Sequence, residues 1–249
     1  MTFASCMADI AEIWAQYWDV FLLEGLVGTL KLTLISVVMG VLLGTIVAIL
    51  KMSKFRIVRF LISIYIEVIR GTPILLQLFI FVFALPAIIP IKLSNFAWTA
   101  VALCINSSAY VSEVIRSGIQ SVDKGQTEAA RSLGLSEGQT MLRIILPQAV
   151  RNILPALGNE FIMMLKETSL ASNFFIGELM TSYAIVRGAT YQAFQCLIIV
   201  GIIYLCVTFP LSKVVGYFEK RMANPNLYKN HKGKANRQKA NKSGGKIGG

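Results

Sequence analysis

The sequence predicts an all-α, polytopic membrane protein of about five transmembrane helices, with its N-terminus outside and its C-terminus inside. Three observations predict it. Hydrophobic residues make up 55% of the 249, and they gather in long runs. Charged residues are only 15%, against ~25% in soluble domains of average usage. Basic residues cluster beside the apolar runs, as the positive-inside rule expects.

The charge balance excludes some functions. The net charge is +11, but no aromatic and basic residues interleave into a base-stacking stripe, so nucleic acid is not an expected partner. Cys6, Cys104, Cys196 and Cys206 are scattered without a CxxC spacing, and the one histidine, His231, sits in the polar tail. No metal site is expected. The N-terminal stretch has no Lys or Arg and no cleavage-like site, so no cleaved signal peptide is expected.

Residues 1–19 carry Asp9, Glu12 and Asp19 among Trp14, Tyr17 and Trp18, which suits an interfacial, extracytoplasmic lead-in; a loosely ordered terminus is equally open. A transmembrane domain over 20–215 follows. Its first span runs from about Val20 to Leu50, with the crossing itself nearer 26–50. Gly40, Gly44 and Ala48 are spaced by four and share one face for close helix packing. Lys51, Lys54, Arg56 and Arg59 then mark the cytoplasmic side.

Residues 57–90 are too long for one simple crossing and contain Glu67, Arg70, Gly71 and Pro73. Pro73 lacks a donor and disfavours helical geometry at Thr72, which predicts a break at Gly71-Thr72-Pro73. Glu67 and Arg70 are placed to pair on a helix. They form either a structural ion pair beside the break or, with Gly71 and Pro73, a hinge or gate. Residues 86–95 read as a short outside turn.

The third span, about Phe96 to Ile115, holds Asn106, Ser107, Ser108 and Tyr110. Polar groups in a span face the bundle interior, where they bond across helices or line a path. Both readings are open for Asn106 and Tyr110. The fourth span, about Ala149 to Leu165, holds Pro155, Gly158, Asn159 and Glu160. A mid-membrane carboxylate needs a partner, water, a cationic ligand or a proton. Glu160 is therefore the candidate contact for a substrate ammonium group, its alternative being an interhelical hydrogen bond. Asn106, Tyr110, Asn159 and Glu160 make up the candidate substrate path. Residues 166–192 form an outer connection, and a last span from about Ala193 to Leu211 leads to Lys213, Lys220 and Arg221 inside. Residues 216–249 read as a mostly disordered basic cytoplasmic tail near anionic lipid.

Between the third and fourth spans lies a polar segment over 117–147. Thr127 is placed to cap a helix starting at Glu128, Gly134 to end it in a left-handed conformation, Ser136 to restart a helix and Pro147 to close the stretch. An ordinary solvated loop is the plain alternative. The stretch EAARSLGLSEGQTMLRIILP nevertheless resembles the EAA loop of binding-protein-dependent ABC importer permeases. Glu128, Ala129, Ala130, Gly134, Ile144, Leu146 and Pro147 all fall on that pattern without gaps. YIEVIRGTPILLQLF (65–79) and NSSAYVSEVIRSGIQSV (106–122) are similar to the polar amino acid branch.

The resemblance implies a bacterial inner-membrane permease of the histidine, arginine, lysine or glutamine type. It implies a second permease chain, identical or homologous, an ABC ATPase docked under each, an extracytoplasmic substrate-binding protein and surrounding membrane lipid. ATP and magnesium would sit on the ATPase, and this chain would hold no cofactor. In keeping with that, no Walker A spacing occurs in the sequence, so no ATPase activity of its own is expected. The rival class is an autonomous secondary transporter or channel, with Glu160 in proton or solute coupling.

Overall fold

A computed structural model describes residues 3–222, and every regular element among them is helical. Helix α1 (Phe3–Asp19) passes through a π-helical stretch (Val20–Leu26) into α2 (Val27–Lys51). The lead-in is thus a helix, kinked where Tyr17 leaves helical geometry, and not a loose terminus. It is held by burial: Ile13 and Phe21 pack in one apolar cluster with Leu179, Val186, Ile199 and Val200.

Helix α3 (Arg56–Gly71) is followed by α4 (Ile74–Phe79), a π-helical stretch (Ile80–Ala84) and α5 (Leu85–Ile88). Thr72 and Pro73 are both extended, and the chain turns by 105° there. The break falls where Pro73 requires it. A Cβ on Gly71 would meet nothing within 4 Å, so the turn owes little to the small size of that residue.

Helix α6 (Asn95–Gln120) starts at Ser94, whose hydroxyl accepts from the Ala97 N–H. Two short helices, α7 (Lys124–Ser132) and α8 (Glu137–Thr140), then lead through a π-helical stretch (Met141–Ile145) into α9 (Leu146–Glu167). A 3₁₀ turn (Thr168–Phe174) and α10 (Leu179–Thr190) connect to α11 (Ala193–Met222). Part of the segment expected as a tail is therefore helix as far as Met222. The rest of that tail, with His231, lies outside the described residues.

The helical run ending at Lys51 and α11 are each long and apolar enough to cross a membrane, and the bent pair 56–71 and 74–88 makes a third candidate. Helices α6 and α9, of 26 and 22 residues, have the length but carry buried polar groups; ~20 residues suffice to cross. This is an integral membrane architecture.

The central seam lies between α2 and α6. A Cβ on Gly40 would come within 2.6 Å of Ser107 Oγ, and one on Gly44 within 2.7 Å of the Val111 side chain. Only residues without a side chain let these backbones approach so closely. Leu32, Leu78, Trp98, Leu103, Met164 and Phe174 fill the core beside this seam. Near the start of α2, buried Glu178 caps α10 by accepting from the Met180 and Thr181 amides at 2.8 and 2.6 Å. The Leu179 amide donates to Thr29 Oγ1, which ties this connection to α2.

Candidate functional site

The polar segment between α6 and α9 folds as an elbow. Its first helix begins at Lys124, four residues before Glu128, because Asp123 and not Thr127 is the cap. Asp123 Oδ1 accepts from the Gly125 N–H at 2.7 Å. Aspartate outranks threonine as a cap and its charge complements the helix N-terminus, so it captures the start. Glu128 and Ala129 are exposed, whereas Ala130 is buried.

Gly134 ends α7 at φ +83°. The Leu135 amide donates to Ala130 O and the Gly134 amide to Arg131 O, a Schellman closure that requires the left-handed residue. Leu133 at the tip is 84% exposed. Ser136 restarts the chain with a capping box: its hydroxyl accepts from the Gln139 N–H, and the Gln139 side chain accepts from the Ser136 N–H.

Pro147 does not close the stretch. Helix continues from Glu137 to Glu167, and Pro147 occupies the first turn of α9. The widened π turn over Met141–Ile145 just before it makes room for a residue without an N–H. Ile145 is buried, Ile144 and Leu146 are half-buried and Leu142 is exposed. A groove of about 760 Å³ lies inside the elbow, lined by Thr127, Arg131, Glu137, Thr140 and Ile145 among others. Lys54 approaches Glu137 at 3.4 Å, so the loop after α2 and the elbow share one end of the bundle. Both groups are largely exposed, and the pair contributes little to stability.

Inside the bundle the polar residues fall into separate groups. Asn106 is buried and its Nδ2 donates to Gln77 Oε1 at 2.9 Å. Gln77 Nε2 in turn donates to Ile69 O at 2.7 Å and to Thr72 Oγ1 at 2.8 Å. Gln77, a residue the sequence did not single out, thus splints the bend. Glu160 is buried, and Ser107 Oγ donates to its Oε1 at a long 3.5 Å. Asn159 is exposed and does not join that group, since successive helical residues face different ways.

Arg70 does not pair with Glu67. It lies 3.9 Å from Glu113 of α6, with its guanidinium 5.3 Å from the centre of the Tyr110 ring. Arg116 also grips Glu113 in a fork, with Nε and Nη2 donating at 3.0 and 2.6 Å. The neighbouring helix offers a better-placed carboxylate than the one on the same helix. Glu67 is left exposed on α3.

Comparison with known proteins agrees with this architecture. Residues 40–224 match the family described as binding-protein-dependent transport system inner membrane component. The arginine transport system permease protein ArtQ of Bacillus subtilis (strain 168) is 40% identical over 81% of this chain and 92% of its own. The putative glutamine transport system permease protein GlnP of Rickettsia conorii is 43% identical over 81% and 93%. A crystal structure of an amino acid ABC transporter with histidines is 46% identical, with a TM-score of 0.80 over 83% of this chain and 96% of that one. The MetNI methionine ABC transporter, at 16% identity and a TM-score of 0.69, shares the fold. On the extent and identity of these matches, the chain belongs to the family of binding-protein-dependent transport system inner membrane components.

Proposed function

We propose that the chain is the membrane-spanning permease subunit of an ATP-driven importer of polar amino acids, with about five crossings, its N-terminus outside and its elbow inside. The observation that carries this reading is the elbow itself: a short exposed helix between two long ones, fixed by a left-handed glycine and a capping box. Such a rigid projection can transmit a push, where a slack loop would absorb it. On this reading Glu128 to Gly134 seat in a groove on the ATPase, and Ile144, Leu146 and Pro147 join the elbow to α9. A second permease chain completes the pathway, and an extracytoplasmic binding protein delivers the amino acid.

The names of the relatives support an amino acid substrate, arginine or glutamine among them. Glu160, Asn106, Tyr110 and Asn159 are the candidate contacts along the path. The bend at Gly71-Thr72-Pro73, with Arg70 held by Glu113, is the candidate gate. Vesicles containing the permease with its ATPase and binding protein should accumulate labelled amino acid only with ATP inside the ATPase compartment. Equal accumulation without the ATPase would overturn the proposal in favour of an autonomous transporter.

A further inference from the structure

The basic residues near the cytoplasmic end of α2 do more than mark orientation. A cavity of about 570 Å³ between α2, α3 and α6 is lined by Lys51, Arg59, Glu67, Arg70, Glu113 and Arg116. Four cations thus face two carboxylates, and Glu113 is already engaged by Arg116 and Arg70. Lys51 Nζ donates to Ser63 Oγ at 2.5 Å, which fixes it toward α3. The Arg59 guanidinium is exposed and has no side-chain partner among the described residues.

The shape of α3 says what approaches this cavity. Arg56, Arg59, Ser63, Glu67 and Arg70 recur at helical spacing and form one polar stripe. Ile57, Phe60, Leu61, Ile64 and Val68 are exposed on the adjoining face. A helix that joins a cationic stripe to an exposed apolar face, and turns by 105° from the segment that follows, suits the boundary between headgroups and acyl chains. Basic pockets between helices at a membrane face select anionic headgroups.

We infer that the cavity between α2, α3 and α6 binds the headgroup of an anionic glycerophospholipid, with its phosphate between Lys51 and Arg59 and its acyl chains along the apolar face of α3. The inference needs only a membrane-embedded chain and stands whether or not the amino acid reading holds.

The test uses the purified full-length chain, stripped of lipid in detergent and titrated with phosphatidylglycerol, phosphatidylcholine or inorganic phosphate. Bound lipid is read by native mass spectrometry. Phosphatidylglycerol should be retained in preference to phosphatidylcholine, and Arg59→Gln should weaken its retention by about fivefold. Lys54→Gln, which removes an exposed lysine outside the cavity, should leave retention unchanged. Arg59→Gln carries little risk to folding because its side chain is exposed. Equal retention of both lipids, or equal loss in the two variants, would overturn the site in favour of general surface charge. Competition by millimolar inorganic phosphate without any lipid preference would reassign it to a free anion.

Discussion

Asn106 Nδ2 donates to Gln77 Oε1 at 2.9 Å, and through this bond α6 holds the bend between α3 and α4. The same Gln77 amide donates back across the bend to Ile69 O, Thr72 O and Thr72 Oγ1. Pro73 breaks the helix, but it is Gln77 that satisfies the carbonyls the break exposes. A side chain that serves both sides of a break in an apolar interior keeps its angle from being arbitrary.

Gln77→Leu should therefore cost more than Asn106→Leu. Asn106→Leu removes one buried interhelical bond and leaves a single acceptor, Gln77 Oε1, without it, at a cost of ~0.6–2 kcal/mol in a membrane interior. Gln77→Leu strands the Asn106 donor as well as the Ile69 and Thr72 carbonyls, for a cost of about 2–4 kcal/mol. Thermal unfolding of the detergent-solubilised variants measures both, and the double variant should be less destabilised than the sum. A Gln77→Leu protein as stable as Asn106→Leu would remove the splint.

The α2–α6 seam gives a second contrast. Gly44→Val places its Cβ 2.7 Å from the Val111 side chain and 2.9 Å from Ser108 O, a backbone atom that cannot step aside. Overpacking of this kind costs about 1–3 kcal/mol. Gly71→Ala enters open space and is expected to fold as well as the parent. The yield of monodisperse protein after detergent extraction should separate the two.

The features legible in the sequence are those fixed by local chemistry or by period. The four-residue spacing of Gly40, Gly44 and Ala48 identified the packing face, and Pro73 located the break. Gly134 and Ser136 marked the end of one helix and the start of the next. The misses came from competition. Asp123 and Thr127 are both able to cap, and only the folded chain shows which one does. Glu67 and Arg70 have the spacing of a pair, but Glu113 arrives from another helix and takes the guanidinium. Gln77, a single amide in the run ILLQLF, carries no period that would announce its partners.

Among the described residues the Glu160 carboxylate receives one side-chain hydrogen bond, the long one from Ser107 of α6. Glu160→Gln keeps an acceptor for Ser107 and removes the charge. If the carboxylate meets a substrate ammonium, transport should need about tenfold more amino acid for half-maximal rate, the loss expected for one charged hydrogen bond. Association with the ATPase should not change. Uptake measured over a range of amino acid concentrations checks this, and a profile identical to the parent would take Glu160 out of the path.

Gly134 separates conformation from contact. A Cβ there meets nothing within 4 Å, so any penalty on substitution comes from φ +83° and not from crowding. Asparagine tolerates that region and valine does not; the left-handed conformation costs roughly 1–2 kcal/mol for an ordinary L-residue and more for a β-branched one. Gly134→Asn should keep the Schellman closure and most of the bound ATPase. If the elbow seats on the ATPase as proposed, Gly134→Val should open it and lose about tenfold in association while the helices around it remain folded. Co-purification of the ATPase from solubilised membranes, with circular dichroism as the folding control, compares the two. Equal recovery with Gly134→Val would show that the docking surface does not depend on the shape of the elbow.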